Sequence, residues 1–393
     1  MENLVVVLGK NYSTTLGTVR ALGERGYKTH VCFISKSQAQ GKIVSSSRYV
    51  SRFFLFRKRD ERLITDFLIG INRGRSEKIP LIATDDYTAS LVDRHLNELT
   101  PYFFLPGSEN GEGEIVRMMD KAVQCELALR FGLRAARSWT LKEENGVYPI
   151  PEDMVYPCFF KPLVSFVGGK DGMICCNSQA ELRDGLLAFS RVGGIPVLVQ
   201  EYLKIDHEYS ISGICWGEQV FLPALLRKLR VCQSHKGTTV MGVIEPFDQE
   251  SEIYKRLTKL LASLKLKCIV DVEFFRCGDE MIFNEINFRT SAVCYGIVAG
   301  GANLPAMFAE AQQSGNFNPG ENDISYGARF LCEKAAWDDY ISEIISAKEL
   351  KKLYSGSNYF IIRNTDDPKP ESVFLCFVVM RKIKHFIMSR LKK

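Results

Sequence analysis

Runs of hydrophobic residues divide the first part of the chain into repeated strand–helix units. Residues 4–8 form a continuous apolar run, typical of a buried strand, and residues 14–25 repeat apolar positions at helical spacing. Further apolar runs at 28–34 and 80–84 continue the same alternation. Strands that alternate with helices indicate a parallel sheet, so the pattern predicts a Rossmann-like domain at residues 1–114.

The turn after the first strand does not have the spacing of a dinucleotide site. It lacks G-x-G-x-x-G, and Asn11 and Tyr12 would crowd a pyrophosphate. Asp85 and Asp86 follow a later strand, at the edge where open sheets bind ligands. We favour a helix N-cap pair for these two aspartates, and a ligand-binding role is the alternative.

The middle of the chain carries lysines and glycines where predicted strands and helices begin or end. The segment 107–114 predicts a linker, and one helix over 115–131 carries Lys121. An apolar strand ends at Lys161, where a lysine usually meets an anion or reaches water. The following turn, 165–172, has three glycines and a lysine. Such a turn can close over phosphates, although hairpin turns are also rich in glycine.

Residues 269–291 predict a β-hairpin with a chemical function. Glu285 and Asn287 lie two apart near the end of its second strand, so they point to the same face. If the strands pair, Glu273 lies opposite them. Two carboxylates and an amide oxygen suit Mg²⁺, and Arg289 would add a cation for an anionic group. The alternative is a solvated hairpin face with one salt bridge.

Composition narrows the class of protein. The chain has 393 residues, enough for two or three domains, and a net charge of only +5 gives no signal for nucleic-acid binding. Twelve cysteines without a C-x-x-C pair indicate reduced thiols in a cytoplasmic protein, not disulfides or zinc. We see no basic leader and no apolar run of transmembrane length.

The last part of the chain combines apolar and basic residues. A linker is predicted at 366–370, followed by an apolar run over 373–380 and a basic amphipathic tail to residue 393. We favour a helix packed on the protein with a solvated basic end. The alternative is a contact of 373–393 with anionic lipid at the inner membrane surface.

Six motifs in a fixed order make residues 1 to about 320 resemble the ATP-grasp superfamily. They are Asp120-Lys121, Phe160-Lys161-Pro162, the loop 165–172, Gln200-Glu201-Tyr202-Leu203 with Glu208, Asp271-Val272-Glu273 and Glu285-Ile286-Asn287-Phe288-Arg289. Within that superfamily the chain resembles the carbamoyl-phosphate-synthase-like carboxylate–amine ligases, including D-aspartate ligases.

The resemblance implies an α/β and α+β architecture in three parts. A Rossmann-like domain at 1–114 precedes an ATP-grasp domain at 115–320, whose small lid subdomain covers about 135–203. A C-terminal extension with the basic amphipathic tail occupies 321–393.

The resemblance also implies roles for individual residues. ATP would contact Lys121, Lys161, Ser165, Gly168, Gly169, Lys170, Gln200, Glu201, Tyr202, Leu203 and Glu208. Glu273, Glu285 and Asn287 would hold Mg²⁺, with two ions expected and Mn²⁺ as a substitute. Arg289 would act in catalysis with Arg227 or Lys228; these two are neighbours on an extended segment, so only one can face the nucleotide, and we favour Lys228.

The implied reaction phosphorylates a carboxylate with ATP and lets an amine displace the phosphate, which gives an amide, ADP and phosphate. The expected partners are small carboxylate and amine substrates, no nucleic acid, and a second copy in a homodimer. A biotin-carboxylase-like enzyme that activates bicarbonate and a non-catalytic nucleotide-binding module are alternatives. We expect the loop 234–239 to border the acceptor substrate, with a plain surface loop as the alternative.

Overall fold

The computed structural model describes residues 3–162, 174–190, 196–234 and 237–391. Its N-terminal region contains a parallel sheet in the order β3-β2-β1-β4-β5. The strands are β1 (Leu4–Gly9), β2 (Lys28–Ile34), β3 (Val50–Phe56), β4 (Ile79–Ala83) and β5 (Phe103–Phe104). The helices are α1 (Tyr12–Gly23), α2 (Gln38–Ser45), α3 (Glu61–Asn72), α4 (Asp86–Arg94) and α5 (Leu96–Leu99). The predicted Rossmann-like arrangement is confirmed.

The first turn differs from a dinucleotide turn because its residues begin a helix. The side chain of Asn11 accepts a hydrogen bond from the Ser13 N–H and caps α1, and Tyr12 is buried in the first turn of that helix. An N-cap asparagine satisfies backbone donors that would otherwise face an anion.

The connection to the rest of the chain is more ordered than the predicted linker and single helix. It contains β6 (Gly107–Ser108), α6 (Glu114–Met118), α7 (Lys121–Arg130) and β7 (Arg134–Ala135). The prediction of one helix over 115–131 is wrong, because the Asp120 carboxylate accepts the N–H groups of Ala122 and Val123 and so begins a new helix.

A small antiparallel sheet follows, in the order β10-β9-β11-β8. It consists of β8 (Ser138–Leu141), β9 (Cys158–Pro162), β10 (Ile174–Cys176) and β11 (Val197–Glu201), with α8 (Gln179–Ser190) on one side. Cys158, Phe160, Val197 and Val199 form part of its core. This sheet is separate from the one that carries the predicted hairpin.

The large sheet has the order β19-β18-β15-β14-β12-β16-β17-β7, with β13 and β6 attached at its sides. Its strands include β12 (His207–Gly217), β13 (Gln219–Phe221), β14 (Leu225–Val231), β15 (Thr239–Glu245), β16 (Leu266–Cys277) and β17 (Glu280–Asn287). The helices α9 (Glu252–Ser263), α10 (Cys294–Ala299) and α11 (Leu304–Ser314) belong to the same region.

The C-terminal extension continues the large sheet. It contains β18 (Arg329–Leu331), α12 (Glu333–Ile341), α13 (Ala347–Ser355), β19 (Tyr359–Phe360) and α14 (Lys369–Leu391). Of the predicted linker 366–370, residues 366–368 form a connection and Lys369 already begins α14. The connection is tied to the protein, since Asp367 is buried and its carboxylate lies 3.0 Å from the Arg20 guanidinium and 2.7 Å from the Ser47 hydroxyl. Within the described residues, no helix has the length and apolar character needed to cross a membrane.

Candidate functional site

The β16–β17 hairpin brings the predicted oxygen ligands together. In its antiparallel register Glu273 lies opposite Glu285, and Asp271 lies opposite Asn287. Directly opposed side chains on paired strands have Cβ atoms about 5 Å apart, and two like charges at that distance repel each other. The hairpin therefore concentrates negative charge on one face, and other parts of the chain must compensate for it.

Two lysines from different elements provide that compensation. The Lys121 ammonium, at the start of α7, lies 2.7 Å from a carboxylate oxygen of Glu285. The Lys228 ammonium, on β14, lies 3.3 Å from Glu273 and 2.9 Å from Glu208. Each hairpin carboxylate thus has its own lysine, although these residues are far apart in sequence.

The surroundings keep both lysines charged. Burial opposes the ammonium form of Lys121, but the neighbouring Glu285 outweighs it and leaves the Lys121 pKa above its ordinary value. Burial likewise opposes the charge of Lys228, and Glu273 and Glu208 together raise its pKa. Both lysines are therefore cations at neutral pH.

Arg289 links the hairpin to the N-terminal sheet. Its guanidinium lies 2.9 Å from the Asp86 carboxylate and donates to the Asn287 amide oxygen at 3.0 Å. Burial opposes the charge, but Asp86 and Asp271 outweigh it and raise the Arg289 pKa. A small cavity lined by Asp86, Lys121, Glu285 and Asn287 lies beside this pair.

The two aspartates after β4 have different contacts. Asp85 is the N-cap of α4 and accepts from the Thr88 N–H, as the N-cap interpretation predicts. Asp86 is the first residue of α4, and its carboxylate faces Arg289. The N-cap interpretation is therefore right for the first aspartate and wrong for the second.

Arg227 and Lys228 point to opposite faces of the large sheet, as neighbours on a strand must. The Arg227 guanidinium lies 2.7 Å from Glu245, away from the hairpin carboxylates, whereas Lys228 faces them. Asp271 is buried and accepts hydrogen bonds from the hydroxyls of Ser210 and Ser212. Two serine donors from β12 satisfy this carboxylate, which lies on the same face of the hairpin as Glu273.

The segment predicted to bind adenine lies at the end of β11. The Gln200 amide nitrogen donates to the Ser138 hydroxyl at 2.9 Å. The N–H groups of Glu201 and Tyr202 donate to the carbonyls of Arg137 and Pro157. Two of the backbone donors in this segment are therefore engaged within the protein.

Part of the predicted phosphate-binding set lies outside the described residues. These are Ser165, Gly168, Gly169 and Lys170. The backbone of Lys161 lies in β9, opposite Leu198 of β11.

Sequence reasoning missed one residue that shapes the neighbouring loop. Asp339, on α12, is fully buried, and its carboxylate accepts the N–H groups of Gln233 and Ser234. The Cys232 thiol lies 3.2 Å from the same carboxylate, and burial of that residue indicates packing. Asp339 thus fixes the start of a segment whose Gly237 carbonyl lies 3.5 Å from Lys228. Nothing in the sequence relates α12 to this loop.

The donor set on the hairpin fits a hard divalent cation. Two carboxylates and one amide oxygen come from adjacent strand positions, and lysine ammonium groups now occupy the place that a cation would take. In the part of the chain that is described, no group of three or more His, Cys, Asp and Glu side chains forms a metal cluster. The predicted set has only two such residues, Glu273 and Glu285, and its predicted third ligand is the amide of Asn287.

Comparison with known proteins identifies the domain that holds this site. The model of the ATP-grasp domain family matches residues 126–292. The chain is 24% identical over 177 residues to the C-terminal section of the carbamoyl phosphate synthase large chain of Aquifex aeolicus (strain VF5), which is 44% of this chain and 32% of that protein. Two other carbamoyl phosphate synthase large chains match over 21% and 17% of their lengths. The chain thus spans a third or less of these relatives.

Solved structures with the same fold cover most of the chain. An L-amino acid ligase from Bacillus licheniformis has a TM-score of 0.61 and 15% identity, over 83% of this chain and 78% of that one. The biotin carboxylase domain of the Hydrogenobacter thermophilus 2-oxoglutarate carboxylase, solved with MgADP and bicarbonate, has a TM-score of 0.60 and 14% identity. It covers 83% of this chain and 73% of its own. These likenesses show that most of the chain has the same fold as these structures.

Proposed function

Because the chain contains an ATP-grasp domain, we propose that it is an ATP-dependent carboxylate–amine ligase. The enzyme would transfer the γ-phosphoryl group of ATP to a carboxylate oxygen. An amine would then attack the acyl carbon and expel phosphate, leaving an amide and ADP. The observation that carries this proposal is the hairpin face, where two opposed carboxylates and an amide are each within reach of a cationic side chain.

We propose that Glu273, Glu285 and Asn287 hold Mg²⁺, with two ions and Mn²⁺ as a substitute. Bound Mg²⁺ would supply positive charge that polarises the phosphate oxygens. Lys121 and Lys228 pair with the same carboxylates in the structure. With a cation on the carboxylates, both ammonium groups would turn to the phosphates, because a lysine side chain has several rotatable bonds and donates in several directions.

The nucleotide would lie between the small sheet and the hairpin. Since the N–H groups of Glu201 and Tyr202 are engaged, we assign the N–H of Leu203 to adenine. The Gln200 side chain supports the same end of the pocket. Glu208, 2.9 Å from Lys228, would receive the ribose hydroxyls. From the family resemblance, Lys161, Ser165, Gly168, Gly169 and Lys170 would complete the phosphate contacts.

The acceptor carboxylate would bind near Arg289. The guanidinium is held by Asp86 and Asn287, and this fixed orientation suits a planar anion approaching from the open side. Arg289 would then neutralise charge that develops during phosphoryl transfer. The segment 234–239, whose first residue donates its backbone N–H to Asp339, would border the same substrate.

A phosphate-release screen of paired carboxylates and amines tests the proposal. We expect release that needs ATP, Mg²⁺, one acid and one amine. Release with bicarbonate alone would favour the carboxylase, and ATP binding without turnover of any pair would favour the non-catalytic module.

Two neighbouring variants sharpen the screen. Lys228→Met should lower turnover by about 10²- to 10³-fold, because it removes a fixed cation from the phosphates. Arg227→Met, on the opposite face, should keep turnover near wild type. Equal activity of the two variants would contradict the proposed site.

We also propose a cytoplasmic homodimer. None of the twelve cysteines, all of which lie in the described part of the chain, forms a disulfide, as expected where thiols stay reduced. The solved biotin carboxylase domain is a dimer. Sedimentation velocity tests this assembly directly. We further propose that residues 373–393 bring the protein to the inner membrane surface.

A further inference from the structure

The outward face of α14 is apolar. Leu375, Val379, Ile383 and Ile387 recur every four residues, and their exposed fractions are 38%, 49%, 55% and 51%. Side chains at this spacing form one continuous line along a helix. We refer to these four residues as the outward stripe. Contiguous exposed apolar surface of this kind marks an interaction site more often than single exposed residues do.

The opposite face of α14 is fixed to the protein. Phe374 and Val378 are buried, and the Phe374 ring contacts the rings of Tyr12 and Trp337. The Arg381 guanidinium lies 2.6 Å from the buried Asp338 carboxylate. These contacts set the rotation of the helix about its axis. The outward stripe is therefore exposed in the folded protein because the contacts of the opposite face fix the orientation of α14.

Positive charge flanks the outward stripe. Lys382 and Lys384 stand on either side of Ile383, each about 100° around the helix from it. Lys382 lies 3.6 Å from Glu343, whereas Lys384 is exposed. Residues 381–393 contain six lysines and arginines and no acidic residue. An apolar line with cations at both edges is the pattern of a helix that lies in the interface of an anionic bilayer.

We propose that the outward stripe and its flanking lysines dock the protein on an anionic lipid surface. The helix would lie in the plane of the headgroups, with the stripe towards the acyl chains and the lysines at the phosphate level. A second copy of the chain is a poorer occupant, because two such faces would bring like charges together. This inference does not depend on the proposed ligase activity.

Vesicle flotation of the full-length protein tests the inference. We expect binding to vesicles of phosphatidylcholine mixed with phosphatidylglycerol, weaker binding to phosphatidylcholine alone, and release at high salt. Replacing Val379→Gln and Ile383→Gln together should lower binding about tenfold or more. Lys384→Gln should lower it about fivefold.

The matched control is Leu63→Gln, which removes an apolar side chain of similar exposure, 55%, from α3 in the N-terminal domain. It should bind vesicles like the wild type. Thermal melting of all variants checks that each is folded, since every replaced side chain is exposed.

A native thiol reports the orientation of the helix. Cys376 lies beside the outward stripe, and Cys175 is the other exposed cysteine in the structure. In a Cys175→Ser background, an environment-sensitive dye on Cys376 should shift to the blue when mixed vesicles are added. An unshifted dye, binding that ignores lipid charge, or a double variant that only changes self-association would overturn the inference.

Discussion

The hairpin site and the C-terminal extension both hold carboxylates between distant parts of the chain, but their partners differ. In the site, Glu285 and Glu273 pair with the side chains of Lys121 and Lys228. In the extension, Asp339 accepts backbone N–H groups of Gln233 and Ser234. A lysine side chain can turn away from its carboxylate, whereas a backbone N–H group cannot.

Glu333 is a second carboxylate of the C-terminal extension that is held by backbone N–H groups. Its two carboxylate oxygens accept the N–H groups of Ile361, Ile362 and Arg363. These donors can leave only if the backbone moves, so the carboxylate has a structural role. A lysine can leave its carboxylate partner by a rotamer change alone. That carboxylate can then bind a ligand. The contrast separates carboxylates that hold the fold from those that can bind substrate or metal.

The largest expected effect is on catalysis at the hairpin. Glu285→Gln should lower phosphate release by about 10³-fold, because it removes a charge from the face that we propose binds the metal. The free energy of unfolding should change by about 1 kcal/mol or less, since the Lys121–Glu285 pair is partly exposed. Steady-state kinetics and urea unfolding measure the two. If Glu285→Gln kept its activity but lost stability, Glu285 would have a structural role, and the contrast between the hairpin site and the extension would be reversed.

The second effect is on stability in the extension. Asp339→Ala should lower the free energy of unfolding by about 3 kcal/mol, because it removes the buried, charged acceptor of two backbone N–H groups. Glu250→Gln, at a carboxylate that is 87% exposed, is the control and should change it by about 0.5 kcal/mol or less. Urea unfolding at fixed pH measures both. An equal change in the free energy of unfolding for both variants would show that the backbone N–H groups bound to Asp339 do not contribute to stability.

The third effect is a pH dependence of stability. Burial raises the pKa of Glu333 from 4.5 to about 7. Between pH 4.5 and 7 the Glu333 carboxyl therefore keeps its proton in the folded protein, whereas the unfolded chain has lost it. The free energy of unfolding should fall as pH rises from 4.5 through 7, by up to about 3 kcal/mol. Glu333→Gln should lack this part of the slope, and identical slopes would contradict the prediction.

The smallest effect concerns the orientation of Arg289. Asp86→Asn keeps the size of the side chain but loses the charge that holds the guanidinium. The KM for the carboxylate substrate should rise about fivefold, with kcat little changed. Asp85→Asn is the matched control, because asparagine also caps a helix. An equal change in KM for both variants would show that Asp86 does not belong to the site.

Local patterns predicted much of the hairpin but few of its partners. Alternation and the short turn predicted the hairpin, but counting from the turn would pair Glu273 with Asn284. A β-bulge between Glu273 and Phe274 moves the pairing to Glu285. The Asp86–Arg289 contact joins residues 203 positions apart, and no periodicity reports such a distance. Contacts of this kind depend on how whole elements pack.

Composition misled where a polar residue has a structural role. Asp120 looked like part of one long helix, but it caps a second one. Asp367 lies in a connecting segment, as its Pro- and Asp-rich surroundings indicate, but composition did not predict that its carboxylate is buried against Arg20. Such residues become recognisable only when their backbone or ion-pair partners are known.

Calorimetric titration with a non-hydrolysable ATP analogue tests the central claim most directly. The claim is that the lysine-paired carboxylates of the hairpin exchange their lysines for metal and nucleotide. Wild-type protein and Asp339→Asn should bind the analogue much more tightly with Mg²⁺ than with a chelator, whereas Glu285→Gln should lose most of that Mg²⁺-dependent gain. Equal affinity with and without Mg²⁺ in the wild type, or an undiminished gain in Glu285→Gln, would contradict it.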